Sequence, residues 1–276
     1  MSTKSVVKIL IHSLLILSVL VIAFPVIYAL ITSTQGFKEV FSYPPKIMPG
    51  SSFIANYFET WHRINMERLL FNTTLISVVV AVVKIILSIM AAFAFTYFGK
   101  FKGWEVFFIA NLITQMLPLP IRIIPTFEMM KSFNWVNTYY ALSVPFFAST
   151  TGMLLFRQFF LTVPSELSDA ARVDGAGPIR FLTQILVPLS RTNIAALFGI
   201  EFVFMWSQYL WPLVITNTRE MRVIQIGLKM LLASEQRAPE WNIIMAGAII
   251  AMLPPLTILL ILRKSFVKGI AVQTEK

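Results

Sequence analysis

The sequence predicts an all-α integral membrane protein with six transmembrane helices. Of its 276 residues, 57% are hydrophobic and 13% are charged, whereas a soluble domain is about 45–50% apolar and about 25% charged. Six separate stretches are long and apolar enough to cross a bilayer, which takes about 20 residues of helix. Such a chain is dissolved in lipid rather than folded around a core in water.

The six predicted spans follow one another with polar connections between them. They cover residues 9–33, 69–98, 104–130, 139–160, 193–216 and 242–262. Lys4 and Lys8 precede the first apolar run as in a signal peptide, but the run is too long for one and no small-residue cleavage site follows. We therefore expect a retained first helix. The third span is interrupted by Pro118, Pro120 and Pro125.

Six spans place both termini on the same side of the membrane. The N-terminus, residues 99–103, the loop 161–190 and the tail 263–276 share that side, and residues 34–68, 131–138 and 217–241 lie on the other. Twelve lysines and arginines lie in or beside the first set and nine in the second, so the positive-inside rule favours cytoplasmic termini. The expected parts are therefore 1–33 (N-terminal tail and first span), 34–68 (extracytoplasmic loop), 69–262 (spans two to six) and 263–276 (cytoplasmic tail).

The loop 161–190 contains a charged, broken segment in an otherwise apolar chain. Ser165 is placed to cap a helix in which Ala170 and Ala171 leave room for a close neighbour. Gly175 is placed to end that helix, and Pro178 to start a second. This pattern predicts a rigid knob of two short helices outside the membrane. An ordinary surface loop that covers the helix ends is the alternative.

The same loop resembles a known motif. Asp169-Ala170-Ala171, then Gly175, Ile185 and Pro188 at the spacing found here, is similar to the cytoplasmic "EAA" loop that marks the membrane subunits of ABC importers. Asp169 stands where Glu is usual, and Val187 where Leu is usual. The stretch FMWSQYLWP at 204–212 and the outer-loop stretch PPKIMPG resemble maltose-type sugar permeases. Three further stretches are most similar to the second permease of sn-glycerol-3-phosphate importers: PIRIIPTFEMM at 120–130, FRQFFLTVPSEL at 156–167 and SRTNIAALF at 190–198.

The resemblance implies the type I ABC importer permease fold in a cell inner membrane. It implies a second homologous permease, two copies of a cytoplasmic ATPase that bind ATP and Mg, and an extracytoplasmic solute-binding protein as partners. This chain would bind no cofactor and would contact only these proteins and membrane lipid. The substrate would be sn-glycerol 3-phosphate or a glycerophosphodiester, with a neutral sugar or oligosaccharide as the alternative and a stand-alone secondary transporter as a remote one. The residues implied to couple the permease to the ATPase are Glu166, Asp169, Ala170, Ala171, Asp174, Gly175, Ile185 and Pro188.

Several other classes of protein are excluded by what the sequence lacks. It has no cysteine, hence no disulfide, thiolate nucleophile or cysteine metal site. It has no G-x-x-x-x-G-K-[ST] motif for nucleotide phosphates and no H-E-x-x-H metal motif, and no predicted span contains Asp, so we expect no enzyme. The net charge is +10, but no basic run with interleaved aromatics suggests nucleic acid.

Polar residues inside the spans are candidates for a substrate path, because they are costly at membrane depth. Arg122 lies in the proline-broken third span, Lys84 in the second and Glu201 in the fifth. For Arg122 the alternative is snorkelling to the interface, and for Lys84 with Glu201 it is a structural ion pair between helices. Three residues of the fifth span are further candidates for the path, with an interfacial belt as their alternative: Gln208, Tyr209 and Trp211.

Overall fold

The computed structural model describes residues 3–99, 101–232 and 238–271. Over these residues the chain is helical and contains no β-strand, which confirms the predicted class. The tail beyond residue 271 lies outside the described residues. The helices are α1 (Thr3–Thr32), α2 (Phe37–Val40), α3 (Phe53–Arg63), α4 (Met66–Tyr97), α5 (Trp104–Met116), α6 (Leu119–Ser132), α7 (Tyr139–Ser143), α8 (Thr150–Phe160), α9 (Ser165–Val173), α10 (Pro178–Phe181), α11 (Val187–Leu189), α12 (Arg191–Trp206), α13 (Leu210–Ile215), α14 (Ile224–Leu232) and α15 (Trp241–Ala271).

Three helices are individually long and apolar enough to cross a membrane. These candidate spans are Val7–Thr32, Met66–Tyr97 and Trp241–Ser265. Three bent helix pairs also qualify: Trp104–Met116 with Leu119–Ser132, Tyr139–Phe146 with Thr150–Phe160, and Pro178–Leu189 with Arg191–Trp206. The described residues thus contain three candidate spans, or up to the predicted six if each bent pair is one span.

The prolines of the third predicted span break it more sharply than a kink would. α5 and α6 meet at 104°. Leu117, which precedes Pro118, is extended with ψ 115°, because the proline ring disfavours the helical conformation of the residue before it. Pro125 lies inside α6 without ending it. The third span is therefore two short helices rather than one.

The fifth predicted span also differs from a continuous helix. α12 ends at Trp206, and α13 begins only at Leu210. The apolar bent pair instead joins α12 to the helical segment Pro178–Leu189, with a bend of 76°. The bend lies at Ser190, whose buried hydroxyl donates to the Leu186 carbonyl at 2.6 Å.

By its internal contacts the chain divides into two compact units, of which the first comprises residues 1–67 and 227–253. The segment that follows α1 is folded on itself. The buried Gln35 amide donates to the carbonyls of Lys46 and Met48 at 2.9 and 3.0 Å. Gly50 fits tightly, since a Cβ there would lie 2.7 Å from the backbone of Thr34 and of Gln35.

The second unit comprises residues 68–226 and 254–276 and has two apolar clusters. The first cluster includes Ile76, Val80, Met205, Trp211 and Ile215. The second cluster includes Ile85, Phe93, Phe156, Phe181 and Leu197. Both clusters include residues of α4 and α12. Lys84 on α4 and Glu201 on α12 each lie between a residue of the first cluster and a residue of the second.

Lys84 and Glu201 form a buried ion pair. Lys84 Nζ lies 2.6 Å from Glu201 Oε2, and both side chains are 7% exposed. The other carboxylate oxygen accepts from the Ser149 hydroxyl at 2.8 Å, and Ser149 also caps α8 by accepting from the Gly152 N–H at 3.1 Å. The pair thus connects α4, α12 and the chain break before α8.

We expect Lys84→Met to destabilise the protein by about 3–5 kcal/mol, because it leaves the Glu201 carboxylate buried without its cation. The double variant Lys84→Met with Glu201→Gln should recover most of that loss, since the amide keeps an acceptor for Ser149 and carries no charge. Unfolding of the purified chain in denaturing detergent measures both. Lys102→Met, at an exposed lysine, is the matched control. Equal losses for the single and double variants would contradict the coupling of the two charges.

Candidate coupling loop and substrate path

The charged loop forms two short helices around a sharp corner, as predicted. α9 ends at Val173, and Gly175 follows with φ 74°, a left-handed conformation that favours glycine. α10 starts at Pro178. The prediction that Ser165 caps α9 is wrong: Ser165 is the first helical residue, and Pro164 stands at the cap position without a side-chain hydrogen bond. Pro164 already has the extended backbone that a cap position needs.

The corner is closed by backbone hydrogen bonds. The Ala176 N–H donates to the Ala171 carbonyl at 2.8 Å, and the Gly175 N–H to the Arg172 carbonyl at 3.0 Å. These bonds satisfy carbonyls that the end of a helix leaves without partners. The corner is therefore a defined structure rather than a loose turn.

Two residues of α9 fasten the loop to the end of α4. Ala171 is buried and belongs to the second apolar cluster. Arg172 Nε donates to the Tyr97 hydroxyl at 3.3 Å, and its guanidinium lies 5.2 Å from the centroid of the Tyr97 ring. That hydrogen bond raises the pKa of Arg172 above its ordinary value. The loop and the end of α4 are thus joined by apolar packing, a hydrogen bond and a cation–π contact.

The remaining surface of the loop is exposed and mixes charge with apolar area. Glu166, Asp169, Ala170 and Asp174 are exposed, and Val173 is 88% exposed. The sequence predicts that Ala170 and Ala171 both leave room for a close neighbour on the outside of the loop. Ala170 is exposed, as expected, but Ala171 packs inside the chain. A mixed and rigid surface of this kind suits contact with another folded protein.

The last two residues of the motif lie beyond the corner. Ile185 is half-buried within a π-helical turn, Leu182–Leu186, and Pro188 is exposed in α11. Pro188 has no N–H to donate to the residue four positions earlier, and the π-helical turn comes directly before it. These residues join the loop to α12.

Of the predicted path residues, Lys84 and Glu201 are paired with each other, which is the structural alternative stated above. Their charges cancel in this conformation. Lys84 Nζ also lies 4.6 Å from the centroid of the Phe204 ring. A place for the pair in the substrate path stays a prediction.

Arg122 is exposed near the start of α6. It lines a small cavity of about 30 Å³ together with Thr126, Phe146 and Trp211. Within residues 3–99, 101–232 and 238–271 its guanidinium has no hydrogen bond and no ion pair. Arg122 is therefore a cation that is available to an anion at this position.

The other three path residues flank the break between α12 and α13. Gln208 and Tyr209 are half-buried. Trp211 is 1% exposed, and its indole N–H donates to the Ala141 carbonyl at 2.9 Å. An interfacial belt requires contact with lipid headgroups, so that alternative is wrong for Trp211, which is a core residue beside the Arg122 cavity.

Sequence reasoning missed Ser149 and Asn72. Asn72 is fully buried, donates to the carbonyls of Glu220 and Arg222 at 2.7 and 2.8 Å, and accepts from the Tyr139 hydroxyl at 2.7 Å. The run of small and polar residues at 148–152, inside an apolar span, was the available signal for Ser149. No comparable signal marks Asn72. Among the described residues no group of three or more His, Cys, Asp or Glu could hold a metal ion.

Known proteins match this chain over almost its full length. Residues 2–272 match the family described as binding-protein-dependent transport system inner membrane component. The chain is 41% identical to the sn-glycerol-3-phosphate transport system permease protein UgpE of Agrobacterium fabrum, over 99% of each chain. It is 42% identical to the protein of that name from Rhizobium meliloti and 38% identical to that from Escherichia coli O1:K1, each over 96% of both chains.

A solved structure shares the fold. A chain of a bacterial ABC transporter involved in the import of the acidic polysaccharide alginate superimposes with a TM-score of 0.85 at 19% identity, over 96% of this chain and 98% of that one. Together with the full-length family match, this likeness identifies the helical arrangement as that of an importer permease. The chain belongs to the family of binding-protein-dependent transport system inner membrane components, the permease subunits of ABC importers.

Proposed function

We propose that this permease conducts sn-glycerol 3-phosphate, or a glycerophosphodiester, across the inner membrane. The observation that carries the proposal is 38–42% identity over nearly the full chain to permeases named for that substrate. The exposed Arg122 beside the α12–α13 break supports it. A phosphate entering a partly dehydrated path needs a cation, and a guanidinium offers a planar fork of donors to its oxygens.

We further propose that the chain works with a second permease, two copies of an ATPase that holds ATP and Mg, and an extracytoplasmic binding protein. A second solved structure with this fold is a bacterial alginate ABC transporter in complex with an alginate pentasaccharide-bound periplasmic protein, which supports a binding-protein partner. In this arrangement the termini and the loop 161–190 face the cytoplasm, and the loop 34–68 faces outward.

The loop would act as the handle that the ATPase moves. Glu166, Asp169, Ala170 and Asp174 form its outward surface, and Gly175 fixes its corner. Ala171 and Arg172 tie that surface to the end of α4, whereas Ile185 and Pro188 tie it to α12. A displacement of this loop by the ATPase would therefore also move α4 and α12, which the Lys84–Glu201 ion pair joins.

The substrate assignment is tested by uptake into proteoliposomes that contain the complete complex with its binding protein at saturation. We expect uptake of labelled sn-glycerol 3-phosphate that an excess of unlabelled neutral disaccharide does not reduce. Preferential uptake of the disaccharide would make the chain a sugar permease instead.

In the same assay, Arg122→Gln should lower sn-glycerol 3-phosphate uptake about tenfold, the equivalent of about 1.4 kcal/mol for a lost charge-assisted phosphate contact. Arg122→Lys keeps the charge without the fork and should retain part of the activity. Copurification of the subunits shows that assembly is intact. Normal uptake by Arg122→Gln would make Arg122 an interfacial anchor.

Gly175→Ala should uncouple the transporter, because a β-carbon in the left-handed conformation costs about 1–2 kcal/mol. We expect substrate-stimulated ATP hydrolysis to fall roughly fivefold or more. Gly177→Ala is the matched control: a Cβ meets no atom within 4 Å at either glycine, but Gly177 has an ordinary φ of −71°. Equal behaviour of the two variants would show that the corner is not needed for coupling.

A further inference from the structure

α3 buries polar side chains and exposes apolar ones. Asn56 and Thr60 are 5% and 0% exposed, whereas Ile54, Phe58 and Trp61 are 80%, 64% and 39% exposed. The three apolar residues are spaced i, i+4 and i+7 and therefore form one stripe along the helix. A surface helix in water has the opposite arrangement, with its apolar stripe turned inward.

One set of hydrogen bonds fixes α3 at the end of the first span. Asn56 Nδ2 donates to the carbonyls of Ser33 and Gln35, both at 2.8 Å. The Tyr57 hydroxyl lies 3.0 Å from the Ser33 hydroxyl. The candidate span ends at Thr32, so the middle of α3 lies at the depth where the chain leaves the hydrocarbon.

A second, independent set fixes α3 at the start of the last span. Asn242 Nδ2 donates to Asn56 Oδ1 at 2.9 Å, and the Thr60 hydroxyl donates to the Ile243 carbonyl at 3.1 Å. The candidate span that begins at Trp241 starts at these residues. Arg63, at the end of α3, pairs with Glu240 just ahead of that span. Two span ends thus place α3 at one membrane boundary.

We propose that α3 is an interfacial helix whose stripe of Ile54, Phe58 and Trp61 inserts into the acyl–headgroup boundary of the lipid bilayer. The depth set by both span ends argues for lipid as the occupant. So does continuity with α1, which exposes apolar side chains as far as Leu30. Phe and Trp suit that boundary. The charged side chains of Glu59 and Arg63 lie beyond the stripe, on a face that stays in water, whereas the His62 ring packs against the Phe58 ring with centroids 4.1 Å apart.

The absence of cysteine from the chain allows a direct test with single nitroxide labels. Phe58→Cys and Ile54→Cys place the label on the stripe, and Glu59→Cys places it on the adjacent charged face. All three positions are exposed, and none of the three side chains takes part in the hydrogen bonds of Asn56 or Thr60. Each variant is assembled into the complete transporter in lipid nanodiscs, and copurification of the partners verifies assembly.

Collision rates with molecular oxygen and with a water-soluble nickel chelate are then measured by electron paramagnetic resonance. We expect the oxygen-to-nickel ratio at positions 54 and 58 to exceed that at 59 by roughly tenfold, because the polar chelate is excluded from hydrocarbon. Equal nickel access at 58 and 59 would place the stripe in water and overturn the proposal. Protection from both reagents at 54 and 58 would also overturn it, since a protein would then cover the stripe. Repeating the measurement without the binding protein identifies whether that protein is the cover.

Discussion

The buried ion pair between Lys84 and Glu201 is the interaction on which the second unit depends. Neither charge is tolerable alone in an apolar interior, and together they satisfy each other at 2.6 Å. The pair lies between two apolar clusters and joins α4 to α12 by a charged contact. Ser149 extends the junction to the start of α8, where the bent pair of Tyr139–Phe146 and Thr150–Phe160 has its break.

That junction illustrates a wider constraint on this chain. Hydrocarbon offers no hydrogen-bond partners, so a break in a helix at membrane depth must be satisfied by the protein itself. Two breaks follow this rule with local partners, since Ser149 caps α8 and the Ser190 hydroxyl donates to the Leu186 carbonyl. The Trp211 indole N–H, next to the break between α12 and α13, donates instead to the distant Ala141 carbonyl. The charged loop differs, because α9 exposes most of its side chains and contacts the end of α4 through Ala171 and Arg172. Under the proposed function, the loop that would meet the ATPase and the helices that lie in lipid differ in where their polar groups find hydrogen-bond partners.

The sequence carried some of these features clearly and others not at all. Apolar length predicted the helical class and the spans, and glycine and proline chemistry predicted the corner at Gly175 and the start of α10, since both signals are local. The 104° bend between α5 and α6 lies at Pro118, but the proline pattern marks only the position of a break and not its angle. The burial of Trp211 and the partners of Asn72 depend on residues about 70 to 150 positions away, which no local pattern reports. The burial of polar residues on α3 likewise depends on distant partners, because Asn56 bonds to the Ser33 carbonyl and to the Asn242 side chain.

We infer that this chain moves solute only as the membrane subunit of an ATP-driven complex. The most direct measurement compares solute uptake and phosphate release in proteoliposomes that hold the chain alone, the complex without this chain, and the complete complex with its binding protein. We expect that only the complete complex accumulates solute, that it does so only with ATP on the cytoplasmic side, and that the chain alone neither transports solute nor hydrolyses ATP. Uptake or phosphate release by the isolated chain would contradict it.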